Sequence, residues 1–289
     1  MSEMSKEEIQ EKYNHSDLPK IKNIFTYPYY CISKICAIIF FGVGAVVLAL
    51  LVFPFIRIFS LFSKKEFGII AREYVSHTFR LFLGSLHVSR VSIRKVENPQ
   101  EFRNIHSKII IANHPSLLDF VYIMSLVPNS TCIVRGGLTK TPLRGVIKQA
   151  YITNTTDFND VLVECKRLTD EGCNVIIFPE GTRTPRHGQN IYKKGAARIA
   201  LFCGCDVQPI FIGGSDKYGL GKHDPLWSYN HVEKYVYDFK LLPTIPVKEY
   251  LEVAESIGAK RLTQKMEEVL KAAGDEYKKT YTGKTMSNY

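Results

Sequence analysis

The hydrophobic pattern of the chain changes twice along its length. From Ile35 to Ile56 no charged residue occurs; as a helix, these about 22 residues would extend roughly 33 Å, enough to cross the core of a bilayer. From Glu66 to Gly84 the apolar residues recur at intervals of three and four, which predicts an amphipathic helix. Beyond Leu86 short apolar runs alternate with helical patterns, which is typical of an α/β fold.

The predicted strands are short, and several are uniformly apolar, as in buried parallel sheets. They are expected over Leu86–Val96, Lys108–Ala112, Thr131–Val134, Asn174–Phe178, Val207–Ile212 and Val232–Phe239. Helices are expected over Leu117–Val127, over Asn159–Glu171 with Asp157 as its cap, over Lys194–Phe202 with Gly204 at its end, and over Lys260–Lys279. The fold class is therefore α/β: a mixed sheet flanked by helices, preceded by an apolar membrane-associated helix and an amphipathic helix.

Four parts follow from this pattern. Residues 1–29 are a polar N-terminal tail, either mobile or a short surface helix. Residues 30–84 are a membrane-associated helical segment, and residues 85–245 are an α/β domain. Residues 246–289 are a C-terminal helical extension.

The charges around the apolar segment leave its topology open. Lysines precede it at Lys20 and Lys22, and basic residues follow it at Arg57 and Arg72, so both flanks carry the positive charge typical of the cytoplasmic side. Pro54 removes a helical hydrogen bond near its end and allows a bend. The segment is a single span, a re-entrant helix with both ends cytoplasmic, or a buried soluble helix; we favour the re-entrant form. The amphipathic helix lies in the membrane interface or packs on the domain.

Composition narrows the class of partner. The 38 Lys and Arg residues against 28 Asp and Glu give a net charge of +10, so an anionic membrane surface, nucleic acid or phosphorylated ligand is expected. The hydrophobic fraction of 45% argues against wholesale disorder. Seven cysteines, an odd number, argue against a disulfide framework.

The first candidate for chemistry follows the apolar strand at Ile109–Ile111. In open α/β sheets ligands bind at the carboxyl ends of the strands, and His114 and Asp119 lie just beyond this one. A carboxylate that accepts a hydrogen bond from one imidazole nitrogen leaves the other nitrogen free to take a proton. Ser116 fits a helix cap better than a nucleophile, since no G-x-S-x-G elbow is present. The structural alternative is a buried histidine next to a helix-start aspartate.

The second candidate follows the strand at Val175–Ile177. The turn Glu180–Arg183 combines a carboxylate, a glycine, a hydroxyl and a guanidinium whose planar fork suits phosphate. Lys193 and Lys194 come just before another predicted helix, where backbone N–H groups favour anions. The structural alternative is a solvated loop with an ion pair.

Together the two stretches, about 60 residues apart, are far more specific than either alone. His114–Asp119 resembles the HxxxxD motif of the glycerolipid acyltransferase family, the lysophosphatidic-acid-type acyltransferases, and Phe178–Arg183 resembles its FPEGTR motif. Tyr192–Ala196 and Val207–Ile210 resemble the stretches that follow. The resemblance covers about residues 30–240 and implies that residues 85–245 are an acyltransferase domain.

The resemblance implies a reaction and its participants. A fatty acyl group would pass from acyl-CoA or acyl carrier protein to the hydroxyl of a lyso-lipid such as 1-acylglycerol-3-phosphate, in phospholipid biosynthesis. No metal, tightly bound cofactor or nucleic acid is expected, and the catalytic domain would lie on the cytoplasmic side of a membrane. The implied catalytic residues are the general base His114 and its partner Asp119; the implied substrate-binding residues are Glu180, Gly181, Thr182, Arg183, Lys193 and Arg135.

One departure from the family concerns the acceptor. The second motif of the family usually ends in an arginine that helps bind phosphate, whereas the matching stretch here ends in Asn154. The candidate replacements for that charge are Arg135, Lys140, Arg144 and Lys148. Another acceptor, such as an ornithine-type amino lipid, therefore stays open. A non-catalytic lipid-binding module is a further alternative, disfavoured by the intact pair of His114 and Asp119, and nucleic-acid binding rests on net charge alone.

Overall fold

The computed structural model describes residues 5–60, 66–135, 151–154 and 157–289. Its helices are α1 (Lys6–Tyr13), α2 (Thr26–Val47), α3 (Phe53–Ser60), α4 (Phe67–Val88), α5 (Pro99–Arg103), α6 (Asp119–Leu126), α7 (Phe158–Asp170), α8 (Gly195–Cys203), α9 (Lys248–Leu251) and α10 (Glu255–Thr280). A π-helical turn, Leu48–Val52, joins α2 to α3. Its strands are β1 (Ser92–Val96), β2 (Ile109–Ala112), β3 (Ser130–Arg135), β4 (Tyr151–Asn154), β5 (Asn174–Ile177), β6 (Val207–Gly213) and β7 (Tyr235–Leu241).

The strands form one mixed sheet in the order β1-β7-β6-β2-β5-β3-β4. From β6 to β4 neighbouring strands run parallel, whereas β7 runs antiparallel to β6 and parallel to β1. Ile111 on β2 lies in register with Ile177 on β5 and with Pro209 on β6. The segments that follow β2 and β5 therefore leave the same edge of the sheet side by side, which confirms the predicted α/β class.

The two faces of the sheet bury two separate cores. Side chains of a strand alternate between faces, so Ile110 and Ala112 pack with α4 and α6, while Ile109 and Ile111 pack with α7, α8 and α10. All four residues are fully buried. The short β2 strand is thus covered on both sides, and the residues just after it are held by a rigid framework.

The apolar segment and the amphipathic helix form an antiparallel helical hairpin. Phe41 on α2 contacts Phe82 on α4, with 4.8 Å between ring centroids, and Phe53 on α3 lies 6.2 Å from Phe67 at the start of α4. At the base of the hairpin the Tyr29 hydroxyl donates to the Ser89 carbonyl at 3.0 Å. Both ends of the hairpin are therefore next to the α/β domain.

The base of α2 is bonded to the domain by polar contacts. Lys34 is buried, and its ammonium donates to the carbonyl oxygens of Gly219, at 2.9 Å, and Ser228. Tyr30 stacks on Tyr229 at 5.0 Å between centroids. Further along, the helical run has an exposed apolar side, formed by Ile39, Phe40, Val43, Leu50, Leu51, Phe55 and Ile58. Among the described residues, the continuous helix Thr26–Ile58 is the one stretch long and apolar enough to cross a membrane by length and composition.

The structure corrects one predicted strand. The prediction of a strand over Leu86–Val96 was wrong in its first half, because α4 continues to Val88 and β1 begins at Ser92. Leu86 is buried from the helix, and Arg90 adopts a left-handed φ of 57° that ends the helix and turns the chain. The alternating pattern there reflects the end of an amphipathic helix followed by a strand.

The N-terminal residues include the predicted short surface helix. Helix α1 begins with a capping box in which Ser5 and Glu8 bond each other's backbone. Tyr13, at its end, is buried against the domain. At the other end of the chain, α10 buries Leu262 and Met266 in the core beneath β6 and α8. The division of the chain into four parts stays a prediction.

Candidate active site

His114 and Asp119 form a hydrogen-bonded pair at the carboxyl end of β2. The side chain of Asn113 bonds the backbone N–H and carbonyl of Ile212, at 2.8 and 2.9 Å, which fixes the chain as it leaves the sheet. Asp119 is the first residue of α6, and its Oδ2 lies 2.8 Å from His114 Nδ1. This is the contact that the five-residue spacing predicts.

The Asp119 carboxylate is fully buried and accepts hydrogen bonds on both of its oxygens. Its Oδ2 also accepts from the backbone N–H of Ser116 at 2.7 Å, and its Oδ1 accepts from the Ser116 hydroxyl at 2.5 Å. A carboxylate held in this way fixes the imidazole so that Nδ1 carries the hydrogen and Nε2 is the basic nitrogen. The arrangement can therefore accept a proton at Nε2 of His114.

The turn after β5 packs directly on this pair. The ring of Phe178 stacks on the imidazole of His114, with 3.9 Å between centroids and an angle of 15°. The backbone also joins the two segments, since the Thr184 N–H donates to the His114 carbonyl at 2.7 Å. The two motifs thus form one structural unit.

Glu180 lies beneath the surface of this unit. Its Oε1 accepts from the Thr184 hydroxyl at 2.5 Å and from the His114 N–H at 3.3 Å, and its Oε2 accepts from the Asn190 side chain at 2.8 Å. Burial raises the pKa of Glu180. Its carboxylate braces the two motifs from the inside, unlike its neighbours Gly181 and Arg183, which line a cavity.

Gly181 and Lys193 lie against each other at the mouth of that cavity. Gly181 has a φ of 65°, a conformation that favours glycine. A Cβ placed there would be 2.6 Å from the Lys193 ammonium, so the lysine head lies across the open face of the glycine. The backbone N–H of Lys193 donates to the Pro179 carbonyl at 2.8 Å, which fixes the lysine to the same turn.

Arg183 is partly engaged with a second loop. Its Nη1 donates to the carbonyl oxygens of Leu220, at 2.9 Å, and Gly221, at 2.6 Å. The guanidinium therefore clamps the loop after β6 to the turn after β5. Five N–H donors are available on a guanidinium, and Arg183 also lines the cavity.

The cavity next to His114 has a volume of about 740 Å³ and is lined by two chemically different groups of residues. The polar lining comprises His114, Thr182, Arg183, Lys193, Lys222 and His223. The apolar lining comprises Ile133, Phe158, Val161, Ile177, Ala196 and Ile199. A ligand with a charged head and a hydrocarbon or other apolar part fits this arrangement.

The remaining predicted site residues lie at or beyond the limits of the described structure. The backbone of Arg135 ends β3 in register with Asn154 at the end of β4, at the same edge of the sheet. The side chain of Arg135 is outside the described part, as are Lys140, Arg144 and Lys148 in full.

Several residues at the site carried no recognisable signal in the sequence. Thr184 and Asn190 hold Glu180, and Lys222 and His223 line the cavity from a loop about 40 residues away. The stacking of Phe178 on His114 was also missed, although Phe178 is the first residue of the stretch that resembles the FPEGTR motif. Single polar residues in loops have no periodicity, so only their placement in the fold reveals them.

Comparisons with known proteins agree with this arrangement. The family model named Acyltransferase matches residues 93–213, from β1 to the end of β6. A chloroplastic 1-acyl-sn-glycerol-3-phosphate acyltransferase of Brassica napus is 28% identical over 193 residues, which are 63% of this chain and 54% of that protein. The 1-acyl-sn-glycerol-3-phosphate acyltransferase of Helicobacter pylori is 31% identical over 148 residues, 46% of this chain and 61% of that protein. The chain spans about half the length of the curated relatives it matches.

A solved structure has the same fold. The crystal structure of the 1-acyl-sn-glycerophosphate (LPA) acyltransferase PlsC from Thermotoga maritima covers 88% of this chain and 100% of its own, with a TM-score of 0.67 and 21% identity. The solved structure shows the same fold, and residues 93–213 match the Acyltransferase family model. These matches support a relationship to the glycerolipid acyltransferase family.

Proposed function

We propose that this chain transfers a fatty acyl group from a thioester to the hydroxyl of a lyso-lipid. One observation carries the proposal: His114, bonded to Asp119 at 2.8 Å, lines a cavity that also has both cationic and apolar side chains in its lining. A general base is needed to activate a hydroxyl, and an amphipathic substrate needs both kinds of lining.

In the proposed reaction His114 Nε2 takes the proton of the acceptor hydroxyl. The oxygen attacks the carbonyl carbon of the thioester, and an oxygen–carbon bond forms. The carbon–sulfur bond then breaks, and the thiolate takes the proton from the imidazolium. Asp119 holds the imidazole and stabilises its charge in between, as in a serine triad, but with the substrate hydroxyl in place of the serine.

The polar lining of the cavity and the relatives support the choice of acceptor. Arg183 and Lys193 line the cavity and would suit an anionic head group, and the relatives are named for 1-acyl-sn-glycerol-3-phosphate. We take 1-acylglycerol-3-phosphate as the acceptor and acyl-CoA or acyl carrier protein as the donor. Asn154, at the place of an arginine in the family, favours a second candidate, a lyso-lipid without that phosphate such as an ornithine-type amino lipid.

The test is product analysis by mass spectrometry, with a panel of lyso-lipids and both thioester donors. His114→Ala should lower turnover by roughly 10²–10⁴-fold, the usual contribution of a general base. Asp119→Asn should also lose most activity, because it favours the wrong tautomer of His114. The matched control is His106→Ala, an exposed histidine before the opposite end of β2. Wild-type turnover in His114→Ala would refute the mechanism, and an inactive wild type across the panel would refute the activity.

We also propose that the apolar helical run Thr26–Ile58 enters the membrane from the cytoplasmic side, and that the chain returns to the same side along α4, which packs on the domain. The contacts of Phe41 with Phe82 and of Tyr29 with Ser89 support this, because they bring both ends of the hairpin to the same domain. A single span would separate residues before α2 from the domain. Lys34, bonded to loop carbonyls of the domain, would then lie outside the bilayer core, where its charge costs least.

Thiol labelling can separate the two topologies. Cysteines introduced one at a time at Asn23 and Arg94, in a background with the exposed Cys36 and the half-buried Cys205 replaced by serine, flank the hairpin on either side. In sealed vesicles an impermeant reagent should reach both positions from the same side. Labelling from opposite sides would establish a single span and overturn the re-entrant topology.

A further inference from the structure

A chain of buried hydrogen bonds extends behind the His114–Asp119 pair. Asp119 Oδ1 accepts from the Ser116 hydroxyl at 2.5 Å, and the Ser116 oxygen lies 2.9 Å from the hydroxyl of Tyr237. Ser116, Asp119 and Tyr237 are all fully buried. Tyr237 comes from β7, more than 100 residues along the chain, so this contact depends on the tertiary fold.

The direction of these hydrogen bonds is fixed by counting protons. A serine hydroxyl has one proton, and that of Ser116 goes to Asp119. Tyr237 must therefore donate to Ser116, whose oxygen also accepts from the backbone N–H of Leu118 at 3.2 Å. Burial raises the pKa of Tyr237 well above its usual value, which keeps the phenol protonated and able to donate. Tyr237 thus donates to Ser116, and Ser116 donates to the carboxylate of Asp119. The Nδ1–H of His114 donates to the same carboxylate from the other side.

A buried cation lies over the ring of Tyr237. The ammonium of Lys217 is 4.6 Å from the ring centroid and donates to the carbonyl oxygens of Val236, at 2.7 Å, and Ser215. A cation over the face of a phenol attracts its electrons and strengthens its hydroxyl as a donor. Lys217 also contributes positive charge toward the buried Asp119.

We propose that Tyr237, Ser116 and Lys217 are positioning residues of this site, which hold the Asp119 carboxylate in one orientation against His114. The proposal rests on the proposed function, since it assigns the pair a catalytic task. If Tyr237 only stabilised the fold, a hydroxyl bonded to a main-chain carbonyl would be enough. Tyr235, two residues earlier on the same strand and equally buried, is such a case, because its hydroxyl donates to the Tyr218 carbonyl at 2.5 Å.

The neighbouring tyrosines provide a matched pair of variants. We call the hydrogen-bonded series Tyr237, Ser116 and Asp119 the relay. Tyr237→Phe removes one hydroxyl from the relay, and Tyr235→Phe removes one hydroxyl of equal burial outside it. We expect Tyr237→Phe to lower kcat about 3- to 10-fold, the scale of one lost hydrogen bond in a buried network, with both KM values unchanged. The acid limb of the pH profile of its kcat should be displaced. Tyr235→Phe should lose comparable thermal stability while its kcat and pH profile stay those of the wild type.

Ser116→Ala tests the order of the relay and replaces Tyr237→Phe if that variant does not fold. Because Tyr237 acts through Ser116, the double variant should lose no more activity than Ser116→Ala alone, a non-additive cycle. Additive losses, or equal effects of Tyr237→Phe and Tyr235→Phe on kcat, would overturn the proposal.

A readout without turnover separates this proposal from the proposed function. The nuclear magnetic resonance signal of the His114 Nδ1–H proton reports its hydrogen bond to Asp119 whether or not acyl transfer occurs. It should move or broaden in Tyr237→Phe and Ser116→Ala, and stay in place in Tyr235→Phe. An unchanged signal in the first two variants would overturn the relay. A changed signal in a protein without acyl transfer would leave the relay standing and refute only the proposed function.

Discussion

The ring of Phe178 lies parallel to the imidazole of His114, at 15° and with 3.9 Å between centroids. The first residue of one motif thereby covers the face of the proposed base in the other. At the edge of the same imidazole, Asp119 Oδ2 lies 2.8 Å from Nδ1. The imidazole is held by a stacking partner and a hydrogen-bond partner at once, so its orientation is set by both motifs.

The stack predicts a specific effect of Phe178→Leu. Leucine keeps the apolar volume but loses the flat surface against His114. Aromatic pairs contribute about 0.5–1.5 kcal/mol beyond burial, which is roughly a 2- to 12-fold change if it is lost in the transition state. We expect kcat to fall on that scale with little change in either KM, and Phe178→Tyr to retain most activity. Steady-state kinetics of both variants provide the measurement; equal activity of Phe178→Leu and wild type would show that stacking is not needed.

Gly181 and Gly188 allow backbone strain to be separated from substrate contact. Their φ angles are 65° and 67°, so an alanine at either position costs about 1–2 kcal/mol of strain. At Gly181 the new Cβ would also displace the Lys193 ammonium, 2.6 Å away, whereas nothing lies within 4 Å at Gly188.

We therefore expect Gly181→Ala and Gly188→Ala to lose similar thermal stability, while only Gly181→Ala raises the KM for the acceptor. Lys193→Ala should reproduce that rise in KM. If Gly188→Ala raises the acceptor KM equally, strain in the loop is the cause and the contact assigned to Lys193 is wrong.

The sequence predicts the sheet and its active edge because those features are local. Short, β-branched apolar runs such as Ile109–Ile111 favour strands that are covered on both faces, and polar residues directly after two such runs meet at one edge when the strands are parallel. The pairing of His114 with Asp119 also follows from spacing, since both residues belong to one strand-to-helix connection.

Contacts made between distant segments could not be predicted in this way. Tyr237 lies on β7, and nothing in its strand pattern tells whether its hydroxyl faces Ser116 or a main-chain carbonyl. Glu180 shows the opposite difficulty: its motif is recognisable, but its burial beneath Thr184 and Asn190 depends on how the loop folds back. Strand β4 was missed because Tyr151–Asn154 is only four residues long and half polar.

Arg183 is expected to affect the acceptor more than the donor. Its Nη1 donates to the carbonyls of Leu220 and Gly221, and the residue also lines the cavity, so its other N–H donors can serve a ligand. A hydrogen bond to a charged group contributes about 1.5–3 kcal/mol, roughly tenfold to over a hundredfold in kcat/KM for an anionic acceptor. Arg183→Lys keeps the charge but loses the planar fork. Its kcat/KM for the acceptor should therefore lie between those of Arg183→Ala and the wild type.

Arg186→Lys is the matched control for this prediction. Arg186 is in the same loop, but it bonds Asp17 and Asp216 rather than lining the site cavity. Its substitution should leave the kcat/KM for the acceptor near wild type. Kinetics with each substrate varied in turn provide the measurement, and a loss confined to the thioester donor would assign Arg183 to the other substrate.

The last prediction concerns the pH dependence of stability caused by Lys217. Burial lowers the pKa of Lys217 to about 8, and it outweighs the carboxylates that act in the opposite direction, which are Asp119, Asp216, Glu233 and Asp238. Below pH 8 the lysine is charged in both the folded and the unfolded chain, so folding bears the full cost of burying the charge. Between pH 8 and about 10.5 the unfolded chain holds a proton that the folded protein has lost, so the free energy of unfolding rises with pH, at most about 1.4 kcal/mol per pH unit.

Lys217→Met replaces the ammonium by an unbranched apolar group and should remove this slope. We expect the free energy of unfolding of the wild type to increase relative to that of Lys217→Met between pH 8 and 9.5. Tyrosines of the unfolded chain ionise equally in both proteins, so the difference isolates Lys217. Denaturant unfolding in detergent at half-unit pH intervals measures the difference. Over the same interval kcat of the wild type should decline, because the relay loses its cation, while the profile of Lys217→Met should lack that decline. Parallel stability curves for the two proteins would show that Lys217 keeps its proton, and the pH dependence of the relay would have to be sought elsewhere.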